Sequence, residues 1–233
     1  MFWFYVKTGK VGNMNAKFKQ ANLPKRPHLR LENRYWNSGY KLVAGIDEVG
    51  RGAWAGPVVA AAVVLPMRPR FLNRKLKDVR DSKCLSPNIR DKMSRLIFDV
   101  ALFSGFGSSS PEEVDECGIV NATRIAMFRA VTALSSQPDQ LLIDAVDLNN
   151  ELDIPQKAMN FGDSISLSIA AASILAKVYR DRLMVALSSE YPGYGFERHK
   201  GYGTNMHYDM LTQLRATPVH RHTFKPIASL SEA

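Results

Sequence analysis

The sequence predicts an α/β domain built on a mixed sheet. Two observations predict it. Apolar runs of strand length crowd the early part of the chain, and stretches with helical spacing then alternate with later strands. The length, 233 residues, suits one domain with a small annex.

Residues 1–40 show no sustained period and contain Pro24 and Pro27, so they read as a basic N-terminal arm. The folded domain then occupies 41–233, with an annex over about 190–233. Residues 42–47 form a short apolar run, expected to be a buried strand. Residues 58–65 form a second strand, halted by Pro66 and Pro69. Residues 68–80 read as a basic loop. Residues 86–100 carry Ile89, Met93, Leu96, Ile97 and Val100 at helical spacing, and 102–107 suggest a third strand. Ser110, Pro111, Glu112 and Glu113 read as a helix start: a cap, a proline at the first position, then acids. Ile119, Thr123, Ala126, Met127, Ala130 and Leu134 continue as a helical stripe. Residues 141–146 are a buried strand. Residues 166–187 are a long alanine-rich helix, broken by Pro192, Gly193 and Gly195, and 204–214 form a last helix.

Hydrophobic content of 45% and charged content of 23% are those of an ordinary globular protein. No apolar run approaches the roughly 18–20 residues that span a bilayer. The apolar start, before Lys7, lacks the long core and cleavage site of a signal peptide. Cys84 and Cys117 make no metal or redox motif, and a cytoplasmic location is expected. The net charge of +9 is uneven: residues 1–40 hold eight Lys/Arg against one acid, Glu32, which leaves +2 for the rest. The arm is either a plain extension or a tether to an anionic polymer.

Four acids sit where an element begins or ends. Asp47 and Glu48 end the first strand, Asp144 lies near the end of the 141–146 strand, and Asp163 precedes the long helix. A buried carboxylate needs compensation, and a hard divalent cation with oxygen ligands supplies it. Each acid also has a plainer reading. Asp163 or Ser164 fits a helix cap, Asp144 fits a turn, and Glu48 fits a pair with Arg51. Successive strand residues point to opposite faces, so Asp47 and Glu48 share a site only if the chain bends, which Gly50 permits. Gly50, Arg51 and Gly52 make a tight turn that can bring backbone amides and a guanidinium to a phosphodiester. Residues 191–208 interleave aromatics with cations, a pattern that contacts sugars, bases and phosphates. Four of the five histidines lie at His199, His207, His220 and His222, with spacing that disfavours zinc. Ser173 and Lys177, one helical turn apart, lack an oxyanion turn, so packing or a phosphate contact is expected of them.

These residues assembled, the chain resembles ribonuclease HII, the bacterial type 2 ribonuclease H family, over roughly 42–228. The blocks that carry the resemblance run from Gly45 to Gly52, then through Asp81-Ser82-Lys83, Ser110 to Glu113, Asn121-Ala122-Thr123 and Ile143-Asp144. They continue through Gly162-Asp163-Ser164, Ser168 to Lys177 with Arg180-Asp181, His199 to Tyr202, and His220-Arg221. The resemblance implies a ribonuclease-H-like fold, a five-stranded mixed sheet flanked by helices with a helical C-terminal annex. It places the catalytic, metal-binding carboxylates on Asp47, Glu48, Asp144 and Asp163, with Mg²⁺ or Mn²⁺ as cofactor, two ions during catalysis. It assigns reading of the 2′-hydroxyl to Gly50, Arg51 and Gly52, junction sensing to Tyr202, and phosphate contacts to Lys83 and Lys177. The implied substrates are RNA–DNA hybrids and DNA duplexes with embedded ribonucleotides, cut 5′ to the ribonucleotide to leave 3′-hydroxyl and 5′-phosphate ends. Primer removal and ribonucleotide excision repair are the implied roles, for a monomer without a membrane partner. Alternatives are a resolvase-like nuclease of the same fold and a non-catalytic hybrid-binding module. The chain departs from the family pattern at Ala53, Cys84, Ala145 and Phe161, and the arm lies outside it.

Overall fold

The computed structural model describes residues 23–80, 82 and 85–231. The elements run α1 (Arg30–Asn37), β1 (Val43–Val49), β2 (Val58–Val64), α2 (Pro69–Lys75), α3 (Pro87–Val100), β3 (Phe103–Ser109), α4 (Pro111–Thr132), β4 (Gln140–Asp144) and β5 (Gln156–Met159). Then come α5 (Gly162–Ile165), α6 (Leu167–Glu190), α7 (Phe196–His199), α8 (Asn205–Leu214) and α9 (Lys225–Ser231).

One five-stranded sheet has the order β3-β2-β1-β4-β5. The first three strands form an antiparallel meander, and β4 and β5 join parallel to β1. Strand alternation sorts the core onto two faces. Val43, Val59, Ala61, Val63 and Leu142 pack with α1, α2, α3 and α6. Ala44, Ile46, Val58, Ala60, Ala62 and Ile143 pack against α4. A third apolar cluster, including Met184, Tyr194, Phe196, Leu211 and Ile227, joins the end of α6 to the C-terminal helices.

Gly45 sets the approach of α6 to the sheet. A Cβ there would lie 2.2 Å from the Ser168 carbonyl carbon and 2.4 Å from the Ile169 amide nitrogen. The first turn of α6 therefore rests directly on β1, two residues before Asp47. α4 begins with the expected cap: Ser110 Oγ accepts from the Glu113 amide at 3.2 Å, and Glu113 Oε2 accepts from the Ser110 amide at 2.8 Å. Gly118, at φ 77°, then breaks α4.

Two of the element readings change, and finer details emerge elsewhere. The basic loop over 68–80 contains α2, started by Pro69, with Leu72 and Leu76 buried one turn apart and Val79 beyond them. The featureless arm over 1–40 gains α1, which buries Glu32 and Trp36, with Leu29 buried at its N-cap; residues 1–22 lie outside those described. The fifth strand, β5, is short and partly exposed, and its residues Gln156-Lys157-Ala158-Met159 carry no apolar alternation. On α3, Met93 and Ile97 are buried as their spacing implies, whereas Ile89 is exposed.

Candidate active site

β1 outruns its parallel partner. Its pairing with β4 ends at Ile46↔Ile143, while its pairing with β2 continues through Asp47↔Ala61, Glu48↔Ala60 and Val49↔Val59. The last turn of β1 thus has sheet on one side only, and a cleft opens on the other. That cleft encloses about 480 Å³ and is lined by Asp47, Glu48, Gly50, Arg51, Gly52, Ser82, Asp144, Asp163, Ser173, Lys177 and Tyr202. Four acids from β1, β4 and α5 meet there with the turn and the tyrosine. Lys83 lies outside the described residues.

Asp144 is the last residue of β4, and its Oδ1 accepts from the Gly162 amide at 2.8 Å. This bond ties the β4 end to the turn that carries Asp163. Asp163 is buried within the single turn of α5, where the Ser164 hydroxyl lies 3.4 Å from its Oδ1. The cap of α6 is Ser166, not Asp163 or Ser164. Glu48 pairs with Arg51, Oε1 to Nη1 at 3.1 Å, and still faces the cleft. Its other oxygen, Oε2, is buried with no hydrogen-bond partner.

Asp47 is only 5% exposed. Its Oδ1 accepts from the Glu48 amide at 2.8 Å. Burial, then the carboxylates of Glu48 and Asp144, push its pKa well above the ordinary range; a hydrogen bond from Ser173 opposes them, and Asp163 adds to the rise. The cleft thus holds four carboxylates and two cations, Arg51 and Lys177. Its donors are carboxylate oxygens, the set that hard divalent cations prefer. Among the described residues no three acids or imidazoles are drawn together onto one point, so the carboxylates share the cleft without closing on a centre. The buried orphan Oε2 of Glu48 and the destabilised Asp47 carboxylate fit a divalent ion.

Two buried guanidiniums shape the Gly50 turn, and sequence reasoning assigned neither a role. Arg180 donates to the carbonyls of Pro57 (2.8 Å), Lys200 (2.9 Å) and Ala55 (3.1 Å). Arg221 donates to the carbonyls of Arg51 (2.8 Å) and Gly56 (2.9 Å). Gly50 sits at φ +94°, and a Cβ there would lie 2.2 Å from Arg180 Nε. Gly50 is thus fixed by backbone conformation and by space. The turn is also laced to the annex by Ala53↔Tyr202 and Ala55↔His220 bridges. The Tyr202 ring lies beneath Lys177 Nζ at 5.5 Å and Arg180 Cζ at 5.3 Å from its centroid. Lys177 is held by Asp181 at 2.7 Å. Ser173 lines the cleft between Asp47 and the Ser82 hydroxyl, which is 3.1 Å away.

Among the described residues the histidines form no metal site. His199 and His207 stack at 4.4 Å, and His207 Nε2 lies 3.2 Å from His220 Nε2, behind the Tyr202 turn. The exposed Phe161 and the Ala145 turn flank Asp163 and Asp144, and both have positive φ, 61° and 60°.

The family profile described as Ribonuclease HII matches residues 44–227. A ribonuclease HII of Leuconostoc mesenteroides is 46% identical over 230 residues, covering 95% of this chain and 88% of that protein. One from Pediococcus pentosaceus is 50% identical over 197 residues, covering 84% and 74%. Among solved structures, the ribonuclease H2 of Pyrococcus horikoshii superposes with a TM-score of 0.70 at 26% identity, covering 82% of this chain and 97% of that one. The RNase HII of Archaeoglobus fulgidus, solved with PCNA, gives 0.67 at 28% identity, covering 78% and 95%. A profile match from β1 to α9, with relatives nearly half identical along most of the chain, makes this protein a member of the ribonuclease HII family, metal-dependent endonucleases that act on RNA–DNA hybrids.

Proposed function

We propose that this chain cuts the strand of a duplex on the 5′ side of a ribonucleotide, in RNA–DNA hybrids and at single ribonucleotides in DNA, leaving 3′-hydroxyl and 5′-phosphate ends. One observation supports it above all. The four acids, the Gly50-Arg51-Gly52 turn and Tyr202 line a single cleft in which Asp47 is destabilised as an anion.

Asp47, Glu48, Asp144 and Asp163 would hold Mg²⁺ or Mn²⁺. The chemistry a pair of such ions supplies is activation of water and charge stabilisation at the leaving oxygen of an in-line phosphoryl displacement. The protein's own groups do the rest. The turn, held rigid by Arg180 and Arg221, presents backbone amides and carbonyls to a ribose 2′-hydroxyl, the group that separates RNA from DNA at one position. Arg51 and Lys177 stand at the cleft as cations for the phosphates on either side. The Tyr202 ring offers a face for the sugar after the ribonucleotide, its other contacts being the cations above it. Ser173 keeps Asp47 turned to the cleft by hydrogen bonding. Lys83 follows Ser82, which lines the cleft, and is proposed as a further phosphate contact. The proposed setting is a cytoplasmic monomer in primer removal or ribonucleotide repair.

The test is cleavage of a duplex carrying one ribonucleotide, with Mg²⁺ or Mn²⁺ and with excess chelator. Cleavage at one position only when metal is present is expected. Full cleavage in chelator sinks the mechanism.

A further inference from the structure

The single acid within residues 1–40 is also fully buried: Glu32, on α1. Its Oε1 accepts from the Ser166 hydroxyl at 2.6 Å, the Ser168 hydroxyl at 2.7 Å and the Ser168 amide at 2.9 Å. Its Oε2 is buried without a hydrogen-bond partner. A carboxylate in such a place costs stability unless strong bonds compensate. Here they come from charge-assisted hydrogen bonds and the positive end of the long helix α6. That helix already has its own cap, since Ser166 Oγ accepts from the Ile169 amide at 3.3 Å. Glu32 therefore supplies a second cap from a distant part of the chain.

What the second cap seats is specific. The first turn of α6 rests on β1 at Gly45, where a Cβ would be 2.4 Å from the Ile169 nitrogen. Asp47 lies two residues beyond Gly45, and Asp163 five residues before Ser168. On the same side, the His28 amide donates to the Ile165 carbonyl at 3.1 Å, and His28 bridges Ser166. Residues 28–32 thus press residues 165–168 against the strand that carries Asp47.

We propose that Glu32 is a positioning residue of the metal centre: by fixing residues 166–168 against Gly45, it sets where Asp163 stands relative to Asp47. The inference rests on the reading of Asp163 as a metal ligand. It does not require Glu32 to touch metal or substrate.

The test is Mn²⁺ binding to the full chain without nucleic acid, by titration calorimetry, with a thermal melt of each variant. Glu32→Ala is expected to weaken Mn²⁺ binding by about tenfold, the usual scale for a group that orients a ligand from behind. Glu32→Gln keeps an oxygen for the same three donors and should stay within about threefold of the parent. Trp36→Leu loosens the same helix away from the joint; it should lower the Tm and leave Mn²⁺ binding intact. If Glu32→Ala does not fold, Ser168→Ala carries the test, with weaker binding expected. Parent-like Mn²⁺ affinity in Glu32→Ala, or in Ser168→Ala where that is the variant used, overturns the proposal. So does a loss in Trp36→Leu equal to that in Glu32→Ala, which would leave Glu32 as structural glue. Asp163→Asn is measured in parallel: unchanged binding there removes the site reading itself, and with it the role of Glu32.

Discussion

The surroundings of Asp47 disfavour its anion, through burial first and Glu48 and Asp144 next. Its folded pKa lies above its unfolded one. The stability it contributes is therefore complete below the unfolded value and is lost as pH rises through the folded value. Near neutral pH the metal-free protein carries that loss, and a divalent ion bound at Asp47 in the folded state would reverse it. Asp47→Asn should then melt about 2–6 °C higher than the parent in chelator. Mn²⁺ should raise the parent's Tm more than the variant's, and the variant should not cleave. A lower Tm for Asp47→Asn in chelator would mean that the carboxylate is already compensated. At this scale Asp47, Glu48 and Asp144 stood out in sequence as candidates because charge at the end of an apolar strand is conspicuous, whereas Asp163 showed only as an acid before a helix. Arg180 and Arg221 were not, because their partners are backbone carbonyls from distant segments, which leave no spacing to read. Ala145 shows the converse. Its position after Asp144 takes φ 60°, a conformation that costs a non-glycine residue about 1–2 kcal/mol.

Among the elements, the Tyr202 turn depends on the histidine stack behind it. His220 Nδ1 accepts from the Thr217 amide at 3.0 Å, so its Nε2 carries the proton and donates to His207 Nε2. His207 Nδ1 then donates to the Tyr202 carbonyl at 3.1 Å. The order of protons is fixed only while both rings are neutral. Burial lowers both pKa values to about 4, the neighbouring imidazoles add to the fall, and the Tyr202 carbonyl opposes it at His207. The unfolded chain takes up these protons near pH 6.5 and the folded one near 4, so stability should drop as pH falls across that window. Urea melts at about pH 7, 5.5 and 4.5 should show it, with His207→Gln/His220→Gln flattening the dependence. An unchanged slope in the double variant would detach these rings from acid sensitivity. The missed elements have their own causes. β5 is a short polar edge, α2 hides its one buried leucine among cations, and α1 buries a carboxylate where periodicity looks for an apolar side chain.

Across the whole molecule, charge gathers on one face. Residues 23–41 and 66–80 hold eleven Lys/Arg and two acids, Glu32 and Asp78, an excess equal to the +9 of the entire chain. Glu32 is buried and adds nothing to that surface. The two segments are neighbours. Arg26 Nη1 donates to the Lys77 carbonyl at 3.2 Å, and one groove is lined by Arg30, Asn33, Arg34 and Asn37 of α1 and by Asn73 of α2. The sequence placed the basic excess in a detachable arm, whereas the structure builds its second half into the folded domain. Cutting the chain at residue 40 would therefore remove the Glu32 cap together with the charge, and would confuse folding with binding. Surface substitution separates them. Arg30, Arg34, Arg70 and Arg74 are exposed, so replacing all four by Ala should leave the fold intact. If these cations meet a duplex backbone, the slope of log affinity against log salt should become shallower by about 2–4, near 0.9 for each phosphate no longer neutralised. Cleavage at saturating substrate should persist, since the cleft that holds the four acids is untouched. Binding to a ribonucleotide-containing duplex, followed by fluorescence anisotropy from low to moderate salt, measures the slope. A slope equal to the parent's would make this face a solvated surface and leave the cleft cations, Arg51 and Lys177, as the main electrostatic contacts.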